Sequence, residues 1–172
     1  MSMKSSDEYI IDLLSRYKSK GILVDTNLLL VYFVWMYDHR RTESLKRVKS
    51  KAFSIRDLEL LSGIFKYFDK VVTTPNILTE VSNLSNELSE AERPIYYQVF
   101  ASQVSLLHEE YVASLKVCSL EHFNRFHLTD SGIIDLVKGK YLVLTDDFKL
   151  SGYLRSSGID YINFDHLRVS HS

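Results

Sequence analysis

Short, mainly apolar runs are the feature that most limits what this chain can fold into. They lie at Ile22–Val24, Val71–Thr73, Tyr141–Leu144 and Tyr161–Phe164. Runs of this length and character are typical of strands covered on both faces, as in parallel sheets. Helical spacing fills the segments between them, and strands alternating with helices indicate βαβ units. The sequence therefore predicts a three-layer α/β/α fold, with a mainly parallel central sheet flanked by helices.

Apolar periodicity and capping residues place the helices between these strands. Ser54 is a predicted N-cap, Pro75 suits a first helical turn, and Thr129 is a predicted cap for a helix beginning at Asp130. Glu92 to Val117 has the apolar spacing of one long helix or a helical pair. The other predicted helices span about 6–19, 27–38, 55–68, 75–88, 130–138 and 148–156.

The length and composition predict a single domain covering residues 1–172. The chain is long enough for a substantial core, and no obvious linker divides it. Cys118 is the only cysteine, so an intrachain disulfide is impossible and a reducing compartment is expected. The N-terminal residues have no apolar signal-peptide region, and 22–36 is too short to span a bilayer. We expect a soluble cytoplasmic protein without membrane contact.

The charge pattern leaves nucleic-acid binding open. The formal net charge of −1 argues against attachment to nucleic acid by bulk positive charge. A basic segment at 38–56 provides a local patch, although most runs of this kind are solvated faces. The phosphate-contact candidates in it are Arg40, Arg41, Lys46 and Arg47.

Acidic residues stand where several predicted elements begin or end. Asp25 directly follows the first strand, and Asp146 and Asp147 follow the third. Because ligands of open parallel sheets bind beyond the carboxyl ends of the strands, these carboxylates should face one edge. Glu80 lies about one turn into the helix after the second strand, near the same edge. Asp130 opens a helix, and its position in space is harder to derive.

Carboxylates gathered at one edge need a cation, or they must remain protonated in part. Oxygen ligands without cysteine or paired histidines favour Mg²⁺ or Mn²⁺, and therefore phosphate-ester chemistry. Each residue also has a structural explanation: Asp130 complements a helix dipole, Asp146 and Asp147 form a turn or cap, and Glu80 lies on a surface. Asp25 is the hardest to explain this way, because it interrupts a long apolar run.

The four acidic motifs, taken in order, resemble those of the PIN-domain family. The stretch ILVDTNLLL contains Asp25, and VVTTPNILTE contains Glu80. The stretch LTDSGIIDLV contains Asp130, and VLTDDFKL contains Asp147. Together these motifs extend from about residue 22 to 165. The resemblance implies a PIN-like fold with an extra N-terminal helix at about 6–19 and extended helical insertions at about 38–68 and 90–127.

The resemblance also implies an activity and a site. It implies a Mg²⁺- or Mn²⁺-dependent endoribonuclease acting on single-stranded RNA, often the toxin of a toxin–antitoxin pair. By the family motifs, Asp25, Asp130 and Asp147 hold the metal and Glu80 assists. Asn27 and Thr145 would orient the carboxylates, while Asp146 occupies a variable position. Whether Asp146 or Asp147 is the ligand stays open.

A non-catalytic module of the same fold, binding RNA or protein, is the alternative. The near-neutral charge and the insertions favour it, whereas the complete acidic set favours the enzyme. The substrate sequence, RNA against DNA, the number of metal ions, an antitoxin partner and a homodimer are questions that the sequence leaves open.

Overall fold

Five parallel strands form the centre of the protein. The computed structural model describes residues 6–38, 53–84 and 88–169. The strands are β1 (Ile22–Val24), β2 (Val71–Thr73), β3 (His108–Glu109), β4 (Leu142–Thr145) and β5 (Tyr161–Asn163). Their order across the sheet is β3-β2-β1-β4-β5, and every neighbouring pair is parallel. The predicted α/β class with a parallel sheet is confirmed.

Nine helices lie in the described ranges and flank the sheet. The first four are α1 (Ser6–Tyr17), α2 (Thr26–Tyr37), α3 (Ile55–Tyr67) and α4 (Pro75–Leu84). They are followed by α5 (Arg93–Val104), α6 (Ser114–Cys118), α7 (Phe123–Val137), α8 (Phe148–Ser156) and α9 (Phe164–Val169). None of the helices among these residues has the length and apolar character needed to cross a membrane.

Helix α2 is the central packing element beside the sheet. Most of its side chains are buried, including Leu28, Leu30 and Phe33, because the helix is apolar on every face. It packs against α3, α4 and α5. The fully buried strand β1 leads into it through the single residue Asp25, so a carboxylate is held between two buried elements.

Two predictions about the elements were wrong. The segment predicted as a long helix or helical pair contains α5 and α6, but also the edge strand β3, whose two residues are too few for a periodic signal. Thr129 is not an N-cap, because its hydroxyl donates to Glu80 and the helical backbone already resumes directly after the break at His127. The last predicted strand is present at Tyr161–Asn163, one residue shorter than predicted, and a short helix, α9, follows it directly.

Other boundaries agree with the sequence to within a few residues. Ser54 caps α3: its hydroxyl accepts from the Asp57 N–H at 3.2 Å, and Asp57 accepts from the Ser54 N–H at 2.7 Å. This reciprocal capping box explains why the helix begins at Ile55. The predicted basic candidates Arg40, Arg41, Lys46 and Arg47 lie outside the described residues.

Candidate active site

The candidate site lies where the strand order reverses. From β1 the chain adds β2 and β3 on one side, then returns to place β4 and β5 on the other. The reversal leaves a crevice beyond the carboxyl ends of β1 and β4, the usual ligand position in open parallel sheets. Asp25 follows β1, and Asp146 and Asp147 follow β4. The Asp25 N–H donates to the Leu144 carbonyl at 3.0 Å, which joins the two strand ends.

Asp25 is buried and held by three donors. Its Oδ1 accepts from the Leu28 N–H at 3.0 Å, so the side chain caps α2. Its Oδ2 accepts from the Thr145 hydroxyl and from the Asp146 N–H. Burial and the adjacent Asp146 carboxylate raise the pKa of Asp25 well above its usual range, although the three hydrogen bonds oppose this rise. Asp25 therefore caps a helix with a carboxyl group whose ionisation is disfavoured by burial and by Asp146.

The two consecutive aspartates after β4 have different surroundings. Asp146 is only 1% exposed and points to the Asp25 side of the crevice, where Asn27 Nδ2 lies 3.5 Å from its Oδ1. Asp147 is exposed and caps α8, with Oδ1 accepting from the Lys149 and Leu150 N–H groups at 2.6 and 2.9 Å. Both cap bonds use Oδ1, and neither uses Oδ2.

Asp130 and Glu80 form the opposite side of the crevice. Burial raises the pKa of Asp130 to about 6, and the Asp147 and Glu80 carboxylates add to the rise, whereas Lys149 and His127 oppose it. The Thr129 hydroxyl donates to Glu80 Oε1 at 2.5 Å and joins α7 to α4. Thr129, predicted as a cap, thus orients a carboxylate instead.

One pocket of about 370 Å³ contains all of these groups. Five carboxylate side chains line it, together with the polar residues Thr26, Asn27, His127 and Thr129 and the apolar residues Phe126, Leu128 and Leu150. The carboxylates are Asp25, Glu80, Asp130, Asp146 and Asp147. The tertiary structure therefore brings the four sequence-predicted acidic residues, and Asp146 with them, to a single concave surface.

The oxygen donors suit a hard divalent cation, but they do not yet form a coordination shell. Among the described residues, no three histidine, cysteine, aspartate or glutamate side chains converge closely enough to hold a metal ion. The carboxylates instead form two groups, with Asp25 beside Asp146 and Asp130 beside Asp147 and Glu80. Their mutual repulsion is the electrostatic condition that Mg²⁺ or Mn²⁺ would relieve.

Sequence reasoning missed the residues on the rim of this pocket. His127 lines it and has φ 58° and ψ −162°, the one positive φ outside glycine in the described ranges. Arg125 and Lys149 both lie over the ring of Phe126, a lining residue of the pocket. No glycine or proline in the sequence signals the break at His127. The available signal for Lys149 was its position two residues after Asp147.

Comparison with protein-family models, with curated proteins and with solved structures gives no match for this chain. The class that the fold and the pocket define is an α/β protein with a parallel sheet and an acidic crevice at its topological switch point.

Proposed function

We propose that this protein is a Mg²⁺- or Mn²⁺-dependent nuclease that hydrolyses phosphodiester bonds, with single-stranded RNA as its substrate. The observation that carries the proposal is the set of five carboxylates lining one pocket at the carboxyl edge of the sheet. Burial and like charge raise the pKa values of Asp25 and Asp130, a cost that proteins retain mainly at functional sites. The four ordered PIN-like motifs give the same residues and supply the choice of RNA.

Asp25, Asp130 and Asp147 would hold the cation, and Asp146 is a further candidate ligand because it is buried beside Asp25. When bound, the ion would activate water and neutralise charge on the phosphate. Thr145 fixes the Asp25 carboxylate, and its hydroxyl oxygen also accepts from the Asp147 N–H at 3.0 Å. One threonine hydroxyl therefore contacts both the Asp25 carboxylate and the backbone of Asp147.

Glu80 would act from the wall of the pocket. The Thr129 hydroxyl holds its Oε1, which leaves Oε2 to orient a water molecule or contact the ion. Asn27 contributes in a similar way on the other wall, where its amide approaches Asp146. These contacts restrict the side chains, so little reordering is needed when a substrate arrives.

The direct test is a cleavage time course on a mixed pool of single-stranded RNA. Purified wild type is compared with Asp25→Asn in Mn²⁺, in Mg²⁺ and in EDTA. Asp135→Asn is the matched control, because Asp135 lies on α7 outside the pocket and pairs with Lys116. We expect metal-dependent cleavage by wild type and Asp135→Asn, and a loss of at least about 100-fold in Asp25→Asn. Undiminished cleavage by Asp25→Asn would refute the assignment.

A non-catalytic RNA- or protein-binding module is the second candidate. One observation favours it: both oxygens of Asp25 already accept hydrogen bonds, and no three-ligand group is preformed among the described residues. In such a module the acidic residues would act as caps, and wild type would neither cleave RNA nor respond to divalent cations.

A further inference from the structure

A pocket lined by five carboxylates repels the substrate of the proposed nuclease. Each phosphodiester group carries a negative charge, so a strand can enter only if cations lie along its path. A divalent ion in the pocket supplies part of this positive charge, and basic side chains beside the pocket are a second source. His127 lines the pocket, and Arg125 and Lys149 contact the ring of Phe126, which also lines it.

Lys149 and Arg125 are held on one aromatic platform. The Lys149 Nζ and the Arg125 guanidinium lie 5.1 Å from the centroid of the Phe126 ring. Lys149 Nζ also donates to the Arg125 carbonyl at 2.6 Å, which ties α8 to α7. Phe126 is buried against Tyr153, with ring centroids 4.9 Å apart. The two cations are thus fixed in place rather than freely extended.

These three side chains do not pair directly with the carboxylates. Lys149 and His127 are close enough to Asp130 to oppose the rise in its pKa. Yet in the part of the chain that the structure describes, Arg125, His127 and Lys149 have no ion pair within 4.0 Å of a carboxylate. Their donors are therefore left to meet an anion that arrives from solvent.

His127 occupies a backbone conformation that is costly for any side chain. Its φ of 58° with ψ of −162° falls in a region that glycine occupies almost alone. Glycine would relieve the strain, so the presence of an imidazole at this pocket-lining position needs another reason. Contact between this imidazole and a substrate phosphate would supply that reason, since strained backbone clusters at functional sites.

We propose that Arg125, His127 and Lys149 form a phosphate-contacting rim that positions a single-stranded polynucleotide over the acidic pocket. This inference rests on the proposed nuclease function and extends it to substrate binding. Contacts to phosphate carry no base information, so the rim selects a strand by charge and not by sequence. Any base preference of the enzyme comes from other residues.

The test measures binding and cleavage separately. Fluorescence anisotropy gives the Kd of fluorescein-labelled oligouridylate and oligoadenylate in Mg²⁺ at several salt concentrations, while gels of the same samples report cleavage. The variants are Arg125→Ala, Lys149→Ala and their double variant. Arg155→Ala is the control, because Arg155 is an exposed cation on α8 that lines a different pocket, together with Tyr9 and Tyr161. The melting temperature of each variant checks folding.

We expect the double variant to bind about tenfold more weakly for both oligonucleotides, and Arg155→Ala to bind as wild type does. The slope of log Kd against log salt should become shallower by about 0.7 for each phosphate contact removed. Wild type that binds through these residues without cleaving RNA would uphold the rim and refute the nuclease. Cleavage with an unchanged salt slope and KM in the double variant would overturn the rim alone. Absence of RNA binding by wild type would overturn both.

His127→Gly gives an independent readout. Glycine relieves the strained φ, so the melting temperature should equal or exceed that of wild type, whereas RNA affinity should fall several-fold. His127→Ala removes the same imidazole but keeps the strained backbone. It should lose RNA affinity to the same extent, and its melting temperature should be lower than that of His127→Gly. Full RNA affinity in both variants would remove His127 from the rim.

Discussion

Asp25 caps a helix, yet its carboxyl group is buried next to a second carboxylate. As the N-cap of α2 it accepts the Leu28 N–H, and an uncharged asparagine could perform the same function. The carboxylate is nevertheless buried beside Asp146, which raises its pKa. The cap explains why a polar residue stands between β1 and α2. It does not explain why that residue is aspartate rather than asparagine, whereas the proposed cation site would.

Asp130 makes the stability of the metal-free protein depend on pH. Its pKa is raised from 3.8 to about 6, so the folded state binds a proton more tightly than the unfolded state between these values. Stability is therefore lost as the pH rises from about 4 through about 6. Above about pH 6, after allowance for solvent screening, ionised Asp130 lowers the free energy of unfolding by about 2 kcal/mol.

Asp130→Asn should consequently melt at a higher temperature than wild type at pH 8 in EDTA, and the difference should shrink towards pH 4. Differential scanning calorimetry at both pH values provides the measurement. Asp135→Asn on the same helix should show no such pH-dependent gain. A constant difference between Asp130→Asn and wild type at the two pH values would contradict the origin assigned to the shift.

At the scale of elements, capping residues set where the helices begin. They thereby place the carboxylates of the candidate site. Asp147 caps α8 through Oδ1, and Asp25 caps α2. Both carboxylates therefore stand at helix N-termini, where the partial positive charge of the helix end stabilises them. In α7 the break at His127 separates the rim residue Arg125 from Asp130. The site is thus assembled from the starts of two helices and an interruption in a third.

The capping box of α3 is a test of this local determination away from the pocket. Ser54→Ala removes the acceptor for the Asp57 N–H and a donor to the Asp57 carboxylate. We expect the free energy of unfolding to fall by about 1 kcal/mol, measured by urea denaturation. Ser102→Ala is the control, because its hydroxyl only donates to a carbonyl within the exposed face of α5. Equal stability of the two variants would show that the box contributes nothing.

At the scale of the whole molecule, strand order decides which carboxylates meet. The strand β4 lies next to β1, although more than 100 residues of chain separate them. This pairing places Asp146 against Asp25 and leaves the crevice where α7 can add Asp130. The acidic pocket is therefore a property of the topology, since the chain segments that carry Asp25, Glu80 and Asp130 lie far apart in the sequence.

Divalent cations should stabilise the folded protein as a whole, because the assembled pocket exists only in that state. A cation at about 100 times its Kd adds about 2.7 kcal/mol to the free energy of unfolding. We expect Mn²⁺ or Mg²⁺ at millimolar concentration to raise the melting temperature by several degrees at pH 8. The rise should be smaller at pH 5, where protons compete for Asp25 and Asp130.

The comparison that interprets this melting experiment uses two variants. Asp135→Asn should keep the full response to cations, and Asp25→Asn should lose most of it. If wild type does not respond, or if Asp25→Asn responds equally, the pocket is not a cation site and the non-catalytic alternative gains support.

The sequence by itself determined the α/β class, the approximate bounds of most helices and the placement of acidic residues at strand ends. These features follow from local periodicity, caps and turns, which act over a few residues. Only the tertiary structure decided that β3 forms an edge strand, that Asp146 is buried while Asp147 caps a helix, and that Thr129 holds Glu80. Burial, strand order and contacts between α4, α7 and β4 depend on residues far apart in the chain, and no local pattern specifies them.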